Sequence, residues 1–494
     1  MDEIYHQVKD VAPVARLNAA VLPILPAGIG RPPYNRLQIA TGIVHFGPGA
    51  FHRAHQAHYF DRLLARDQRW GICQVSLRSP NLRDAIIPQD GLYTLVELAE
   101  CKKARVIGAV TGVLVAPHSR DRVLSRLASP DTQAVTITVT ENGYCLTHDG
   151  DLDVTRPEIR HDLSDPRKPA SLVGWLVDGL RARRAAKLKP FTTVSCDNLV
   201  DNGVRLKRAV VQFAGACDAD LAQWIEHDAL FPRTMVDSIV PATDDALRAD
   251  VRSLLGVEDA WPVQRETFSQ WVVEDLPGSA AVAWAEAGVT LTASVAAYDR
   301  AKLRLLNGPH STLAYVGLLR GHETMFEAMQ DPALSRFVER LMRDDIRHTL
   351  QPPADFDLDR YIETVLMRFR NPSIRHMLSQ IAWDGSQKLG PRLLGTISDT
   401  IAAGRPLDRL GVPIAAWMHF LRRRTRDGVR IVDPMEERLR DVAEACENQG
   451  ETDVPRFLAI SAIFPRKLAV HAPFTEAVTR AYDALANNMT LALG

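Results

Sequence analysis

The sequence predicts an α/β protein, in which a Rossmann-type, doubly wound N-terminal domain is followed by a mostly α-helical C-terminal domain. Between Gln38 and about Leu291, short apolar runs alternate with amphipathic stretches, as they do when crossover helices join parallel strands. From about Ala296 onward, long segments with the 3.6-residue helical period replace the strand-like runs. Because 494 residues exceed what one hydrophobic core organises, we expect two domains, residues 1–295 and 296–494.

The individual elements follow from local periodicity. Short apolar runs bounded by turn-forming residues predict the parallel strands Gly42–Phe46, Trp70–Leu77, Val135–Thr140 and Thr192–Cys196. Amphipathic stretches between them predict helices such as Ser119–Leu127 and Ser171–Lys187. In the second domain, the same criterion predicts the helices Leu334–Thr349, Leu358–Phe369, Val412–Arg424 and Phe474–Ala486.

The composition is that of an ordinary globular protein. Hydrophobic residues make up 46% and charged residues 24% of the chain, and the formal net charge of -1 gives no electrostatic reason to expect a nucleic-acid or membrane partner. Six cysteines are scattered without close pairs, which fits a reducing cytoplasm. The start, Met1-Asp2-Glu3, is unlike a signal peptide, and no segment approaches the roughly 20 apolar residues of a membrane span. We therefore expect a cytoplasmic protein with a small-molecule ligand.

A Gly-x-Gly turn follows the first predicted strand. Gly47 and Gly49 let the backbone approach a pyrophosphate, and the helical pattern that begins at Ala50 and Phe51 would offer free N–H groups. His52 occupies the position of the third glycine in the full fingerprint, so the motif is incomplete. A purely structural turn is the alternative interpretation.

The second predicted strand lacks the acid that usually holds the ribose hydroxyls of NAD. Its end reads Val75-Ser76-Leu77-Arg78, so Ser76 and Arg78 leave room for the 2'-phosphate of NADP. The alternative is that Arg78 is simply solvated.

Three histidines, His52, His55 and His58, recur at intervals of three on one predicted helix. Zinc would require further thiolate, carboxylate or imidazole ligands, and the neighbouring sequence suggests none. We therefore expect no metal site and place these histidines in the core or near a cofactor.

The run from Lys302 to His310 is typical of proton and hydride chemistry. An amine can take a proton from an alcohol, while carboxamide and imidazole groups hold the oxygen, and Lys302, Asn307 and His310 could supply all three. At about 100° per residue these side chains fall within one broad helical face. Pro309 cannot donate to the carbonyl of Leu305, so the helix should break or restart there. The alternative is a surface lysine, a helix-ending Asn-Gly and a core histidine.

Other polar residues stand at the ends of predicted elements. Asn198 follows the strand at Thr192–Cys196, where it could meet a substrate oxygen, although Asp197, Asn198 or Asp201 could equally cap a helix. The remaining residues of this kind are Glu141, Asp237 and Lys388, which could instead be turn, cap or surface residues.

Taken together, these segments resemble the mannitol dehydrogenase family of polyol and sugar-acid dehydrogenases. The resemblance runs from about residue 40 to about residue 490, and its matching runs are Ile43–Gln56, Thr138–Tyr144, Ser195–Gly203, Met235–Pro241, Gln270–Asp275, Lys302–Ser311, Arg368–Pro372 and Asp384–Lys388. It implies a Rossmann domain, a helical second domain, a nicotinamide cofactor and no catalytic zinc. The chain departs from the family pattern at Asp299, Ser238 and Pro309, where Glu, Arg and a small residue are usual, and at Gln380, where the mannitol-oxidising members tend to carry Arg.

The resemblance also implies residue roles. Lys302 would be the general base, Asn198 and Asn307 would hold the substrate oxygen, and His310 would position the hydroxyl. Asp237 and Lys388 would grip the remaining substrate groups. Cofactor contacts are expected from Gly47, Gly49, Ala50, Phe51, Ser76 and Glu141, with NAD as the cofactor and NADP left open.

The stretch Asn371–Lys388 resembles the family members that interconvert D-mannonate and D-fructuronate with NAD(H). A carboxylate on the substrate requires a cation, for which Lys388, Arg375 and Arg392 are candidates. The alternatives are a D-mannitol or D-arabinitol 2-dehydrogenase and, in a different class, a dinucleotide-sensing protein without catalysis. We expect a monomer or a weak homo-oligomer.

Overall fold

Five parallel strands form the main sheet of the N-terminal unit in this computed structural model, which describes residues 15–354, 356–487 and 493. The chain divides into two units, Met1–Val295 and Ala296–Gly494. In chain order the strands are β1 (Thr41–Phe46), β2 (Gly71–Ser76), β3 (Tyr93–Leu98), β4 (Lys103–Ile107), β5 (Val110–Val115), β6 (Ala134–Ile137), β7 (Thr192–Ser195), β8 (Thr234–Asp237), β9 (Val263–Glu266), β10 (Gln270–Glu274) and β11 (Thr290–Thr292).

The main sheet has the strand order β5-β2-β1-β6-β7, and every neighbouring pair is parallel. The order reverses between β1 and β6, which is the point at which doubly wound sheets open a ligand crevice at their carboxyl ends. All six residues of β1 are buried, because helices cover both faces of a parallel sheet. The predicted Rossmann-type architecture is therefore confirmed.

Ten α-helices surround these strands in the part of the first unit that the structure describes. The two hydrophobic clusters against the main sheet contain Trp175 on one side and the aromatic group Trp70, Trp271 and Trp284 on the other. The helices are α1 (Ala50–Ala54), α2 (Gln56–Leu63), α3 (Asn81–Ile86), α4 (Arg120–Leu127), α5 (Pro157–Ser164), α6 (Leu172–Ala185), α7 (Asn202–Cys217), α8 (Ala219–Asp228), α9 (Asp245–Leu255) and α10 (Ser279–Ala287).

In the described residues, two smaller sheets accompany the main one, and none of their strands is among the four that the sequence predicted. Their orders are β4-β3-β9 and β11-β10-β8, and the pairs β3–β4 and β8–β10 are antiparallel. Only residues 99–102 separate β3 from β4, and so short a connection permits an antiparallel pair but no crossover.

The three histidines at intervals of three do not share one helix, contrary to the prediction. The chain kinks at His55 (φ −113°, ψ −89°), which ends α1 and precedes α2. His52 and His58 are buried on either side of this kink. The Nε2 atom of His55 lies 3.0 Å from the carbonyl oxygen of Gln270, a residue distant in sequence, so the kink serves a tertiary contact.

The second unit is helical, as predicted. Among its described residues the one β-type pairing is an isolated bridge between Thr324 and Met377. Its helices are α11 (Val295–Ala301), α12 (Gly308–Leu319), α13 (Met325–Gln330), α14 (Pro332–Arg340), α15 (Leu358–Phe369), α16 (Leu378–Ile381), α17 (Gly385–Leu389), α18 (Gly395–Ala402), α19 (Asp408–Arg426), α20 (Glu436–Glu444), α21 (Gly450–Leu458), α22 (Arg466–Ala469) and α23 (Ala472–Asn487).

The predicted helix Leu334–Thr349 is only partly regular. After α14 the chain continues through a π turn at Leu341–Ile346 and a 3-10 turn at Arg347–Thr349. In the described part of the chain, none of the helices combines the length and the apolar character that a bilayer crossing requires.

Candidate active site

A cleft of about 980 Å³ opens in the first unit where β1, β2 and β6 end. We call it the β1–β2–β6 cleft. Four of the predicted cofactor residues, Gly47, Gly49, Ala50 and Ser76, line it. Phe51 does not: it packs against the core and stacks on His55, with ring centroids 5.0 Å apart. Glu141 is exposed, and its neighbours Thr140 and Asn142 line the cleft in its place.

The turn after β1 requires glycine for a steric reason. Gly47 has a φ of +86°, and a Cβ atom there would lie 2.0 Å from the carbonyl oxygen of Thr138. The Thr138 hydroxyl donates to the Gly47 carbonyl oxygen at 2.7 Å. At Gly49 a Cβ would meet only the Gly47 carbonyl oxygen, at 3.9 Å, so that backbone is open to close approach. This arrangement fits the phosphate-approach role that the Gly-x-Gly motif predicts.

Hydrogen bonds from a neutral histidine, His45, stabilise the turn after β1. His45 is buried, with Nδ1 2.8 Å from the Thr136 hydroxyl and Nε2 3.0 Å from the Thr138 hydroxyl. Because the Thr138 proton goes to Gly47, its oxygen accepts from Nε2–H, which leaves Nδ1 as an acceptor for Thr136. Burial lowers the pKa of His45 to about 3, and the ring stacks on His52 at a centroid separation of 3.3 Å.

Asp197 fixes the loop that follows β6. Its carboxylate accepts the backbone N–H groups of Val139 (3.0 Å) and Thr140 (2.9 Å) and the hydroxyl of Tyr144 (2.7 Å). Thr140 has a φ of +68°, which few non-glycine residues adopt. Burial raises the pKa of Asp197, although its hydrogen bonds act in the opposite direction. The sequence identified Asp197 only as a possible helix cap. The signal for this role was an acid directly after a buried strand.

The helix-capping alternative at this loop is wrong for Asp197 and Asp201. Asp201 immediately precedes α7 in the left-handed conformation (φ 54°), and its side chain makes no capping hydrogen bond. Asn198 lies one residue beyond Asp197 in the exposed part of the loop. Asp237 is buried at the end of β8, opposite Gln270 in the antiparallel pair, and β8 belongs to a different sheet from β7, which precedes Asn198.

The lining of the β1–β2–β6 cleft suits an anionic ligand. It contains the cations Arg53, Arg78 and Arg156 and one acid, Glu158. Arg53 is 1% exposed, and its buried Nε atom has no hydrogen-bond partner among the described residues. This excess of positive charge, together with the open backbone at Gly49, fits a dinucleotide with its pyrophosphate.

In the second unit, a π turn begins at Lys302. The helix runs from α11 through the π turn Lys302–Asn307 into α12, and Gly308 N–H donates five residues back to Leu303. The regular α-helix restarts at Gly308 with Pro309 in its first turn, which is one of the two predicted outcomes, and the chain stays helical across this point. The wider π turn accommodates a residue that cannot donate a hydrogen bond, so the helix continues.

The π turn also changes the predicted geometry of the motif. Six residues wind more widely than an α-helical turn, so the estimate of 100° per residue does not apply to Asn307 and His310. Lys302 is 7% exposed, which rules out the alternative of an ordinary surface lysine. π turns of this kind occur frequently at functional sites.

His310 lies in an aromatic and cationic environment. Its ring stacks on Phe369 with centroids 5.6 Å apart and approaches His376 at 4.7 Å. Its buried Nε2 atom has no hydrogen-bond partner among the described residues. Burial holds the pKa of His310 well below its ordinary value, and the nearby charges of His376, Arg392, Arg368 and Lys388 act in the same direction. The imidazole is therefore neutral at physiological pH.

The three candidate cations of this unit differ in their surroundings. Arg375 is exposed. Lys388 donates to the carbonyl oxygens of Trp383 (2.5 Å) and Ile381 (3.4 Å), and burial lowers its pKa. Arg392 is half-buried and donates to the Ser311 hydroxyl at 2.9 Å, one residue from His310. A Cβ atom at Gly308 would lie 2.9 Å from the Arg392 carbonyl oxygen, so these two segments pack closely.

Within residues 15–354, 356–487 and 493, no three or more His, Cys, Asp or Glu side chains are grouped so that they could hold a metal ion.

Two family models match the chain. The mannitol dehydrogenase Rossmann domain matches residues 41–285, and the mannitol dehydrogenase C-terminal domain matches residues 294–486. Together they span both structural units.

Individual proteins resemble the chain over nearly its full length. D-mannonate oxidoreductase from Escherichia coli strain K12 is 39% identical, over 92% of this chain and 96% of that protein. A mannitol 2-dehydrogenase from Phaeosphaeria nodorum is 38% identical, over 84% of this chain and 75% of that protein. Among solved structures, Pseudomonas fluorescens mannitol 2-dehydrogenase in a ternary complex with NAD and D-mannitol has a TM-score of 0.81 and 36% identity, covering 97% of this chain and 98% of the other. Identity alone does not separate the two substrate classes.

Proposed function

The chain belongs to the mannitol dehydrogenase family and is an oxidoreductase acting on alcohol groups, and we propose that it interconverts D-mannonate and D-fructuronate with NAD(H). The relatives named for mannonate and for mannitol match about equally well, so the choice between a sugar acid and a polyol depends on the chemistry of the second unit.

The observation that carries the choice is the environment of Arg392. This half-buried guanidinium donates to the Ser311 hydroxyl and has no carboxylate partner among the described residues. A cation withdrawn from water without a counter-ion is costly, and a ligand carboxylate would supply that counter-ion with bidentate geometry. Mannitol carries no charge, whereas mannonate and fructuronate carry one carboxylate each. Arg392 thus favours the sugar acid.

The proposed roles of the other residues follow from their chemistry. Lys302 accepts the hydroxyl proton of the alcohol, and its low exposure favours the neutral amine because burial disfavours charge. Asn198 and Asn307 donate carboxamide N–H groups to the substrate oxygen and stabilise negative charge as it develops. When bound, the nicotinamide takes the hydride from the alcohol carbon.

His310 and the remaining polar residues position the substrate. The neutral imidazole of His310 can donate or accept one hydrogen bond, which suits the orientation of a hydroxyl group. Asp237 accepts hydrogen bonds from other substrate hydroxyls. Lys388 and Arg375 contribute positive charge that attracts the carboxylate of the sugar acid. The proposed cofactor contacts come from the predicted residues that line the β1–β2–β6 cleft, which are Gly47, Gly49, Ala50 and Ser76. The structure gives less support to contacts from Phe51 and Glu141, because neither residue lines the cleft.

The proposal is tested by initial rates of NADH oxidation with D-fructuronate, D-tagaturonate and D-fructose compared side by side. We expect D-fructuronate to have a kcat/KM at least tenfold above that of D-fructose. Reduction of D-fructose alone would overturn the sugar-acid assignment and identify a polyol dehydrogenase that forms a ketose. NADH binding without turnover of any of the three would favour a dinucleotide sensor.

A further inference from the structure

The loop between β2 and α3 contains the side chains that bear on the choice between NAD and NADP. Ser76, Leu77, Arg78 and Ser79 all line the β1–β2–β6 cleft. In Rossmann domains, a carboxylate at the end of the second strand binds the ribose hydroxyls of NAD, while an arginine nearby accommodates the 2'-phosphate of NADP. The loop here presents hydroxyl groups and a guanidinium, and it contains no carboxylate.

The single acid of the cleft lining does not restore the missing carboxylate. Glu158 accepts two hydrogen bonds from the Arg156 guanidinium, at 2.9 and 2.7 Å, and lies 3.5 Å from the Cys145 sulfur. Its negative charge is therefore balanced within its own segment. The cleft lining contains no other acid, so no unpaired negative charge in the lining would repel a phosphate beside Ser76.

Arg78 differs from the other arginines nearby because its guanidinium is unused. Arg53 donates to the Trp261 carbonyl oxygen, and Arg83 on α3 pairs with Asp84 at 2.7 Å. Arg78 is exposed and makes no hydrogen bond or ion pair with any residue that the structure describes. A guanidinium in this state retains its full capacity for bidentate contact with a phosphate.

The loop that carries Arg78 is held in shape by its own hydrogen bonds. The Ser76 hydroxyl donates to the Ser79 carbonyl oxygen at 2.6 Å, and the Ser79 hydroxyl accepts the Asn81 N–H at 3.2 Å. Order in the free protein lowers the entropy lost when a ligand binds. We propose that this loop binds the 2'-phosphate of NADP(H) through Arg78, so that the enzyme uses NADP(H) as well as NAD(H). The inference rests on the proposed dinucleotide site.

Binding measurements on the full chain without sugar substrate test the inference. NADH and NADPH are titrated separately while nicotinamide fluorescence is followed, for the wild-type protein, Arg78→Met and the control Arg83→Met. We expect the wild-type Kd for NADPH to lie within about threefold of that for NADH. Arg78→Met should weaken NADPH at least about tenfold and NADH less than twofold, and Arg83→Met should change neither, because a charged hydrogen bond is lost only at Arg78.

The salt dependence of dinucleotide binding distinguishes a charge contact from a purely structural effect, because a purely structural effect would leave it unchanged. In the wild-type protein the NADPH affinity should fall more steeply with ionic strength than the NADH affinity, and Arg78→Met should remove the difference. Binding of NADH with no NADPH binding at a hundredfold higher concentration would overturn the inference and leave the proposed function intact. Equal weakening of both dinucleotides in Arg78→Met would also overturn it. Failure of both dinucleotides to bind the wild-type protein would overturn the proposed function itself.

Discussion

The carboxylate of Asp197 accepts the backbone N–H of Thr140 at 2.9 Å and thereby joins the loop after β7 to the loop after β6. The same carboxylate accepts from Val139 and Tyr144, so a single side chain satisfies three donors. These hydrogen bonds stabilise the positive φ of Thr140, which lines the β1–β2–β6 cleft. Asp197 therefore holds the loop after β6 in place, and we expect it to act as a positioning residue for the proposed cofactor site.

Replacement of Asp197 by Ala should weaken NADH binding at least about tenfold, because hydrogen bonds to a charged group contribute about 1.5–3 kcal/mol each. The Kd from fluorescence titration is the measurement, and KM for NADH should rise much more than kcat falls. Asp197→Asn should give an intermediate Kd, since the amide nitrogen cannot accept. Asp201→Ala is the matched control, because the Asp201 carboxylate forms an ion pair with Arg233, and this variant should leave the Kd unchanged. An unchanged Kd in a folded Asp197→Ala protein would remove the positioning role.

Replacement of Arg392 by Met should selectively impair the sugar acid. Loss of a charged contact to the substrate carboxylate should lower kcat/KM for D-fructuronate by about 10–100-fold, while the value for D-fructose changes less than about threefold. Arg392→Lys should recover part of the loss by retaining the charge. Arg375→Met is the control in the same unit, and its smaller effect would distinguish a half-buried cation from an exposed one. Equal losses with both substrates in Arg392→Met would contradict the carboxylate role.

Replacement of Asn307 by Ala should lower kcat for D-mannonate oxidation by about 10²–10³-fold, because a donor to the developing negative charge is lost. The Kd for NADH should stay near the wild-type value. Asn307→Asp should be at least as impaired, since it substitutes a negative charge for the donor. Turnover at the wild-type rate in Asn307→Ala would exclude this residue from the mechanism.

The buried histidines make the stability of the first unit sensitive to acid. His45 has its pKa lowered to about 3 by burial, so the unfolded chain binds a proton below about pH 6.5 that the folded chain does not bind. Stability therefore falls as the pH drops from about 6.5 toward 3. At pH 5 the loss from His45 is about 2 kcal/mol.

The check is urea denaturation at pH 7 and pH 5. Between pH 7 and pH 5, the free energy of unfolding of His45→Gln should fall by about 2 kcal/mol less than that of the wild-type protein, whatever the stability of the variant at pH 7. His118→Gln is the control, because His118 is exposed, and it should show the wild-type pH dependence. An identical pH dependence in His45→Gln and wild type would contradict the assignment of a neutral His45.

The sequence predicts the fold well where the pattern is long and local. Helix α15 has the predicted bounds Leu358–Phe369, and β1, β2 and β7 lie within one or two residues of their predicted ends. Their apolar periodicity is uninterrupted, so local pattern and tertiary packing agree. The predicted family is confirmed by family models that match residues 41–285 and 294–486.

The errors arise where distant residues decide the local conformation. Strand β6 ends at Ile137 instead of Thr140, because Thr138 turns to donate to Gly47 and the next two N–H groups pair with Asp197. The kink at His55 accompanies a contact with Gln270, more than 200 residues away. The candidate site shows the same limit. That Arg392 lacks an acidic partner in the described structure depends on tertiary packing, and no local pattern contains this information.

Chemical rescue of Lys302→Ala tests whether Lys302 takes the proton from the substrate alcohol. General base catalysis contributes about 10²–10⁴-fold, so kcat for D-mannonate oxidation should fall by that factor while NADH still binds. Methylamine should restore part of the rate, and the restored rate should increase with pH as the free-base fraction of methylamine increases. Oxidation of D-mannonate by Lys302→Ala at the wild-type rate without added amine would exclude Lys302 as the general base.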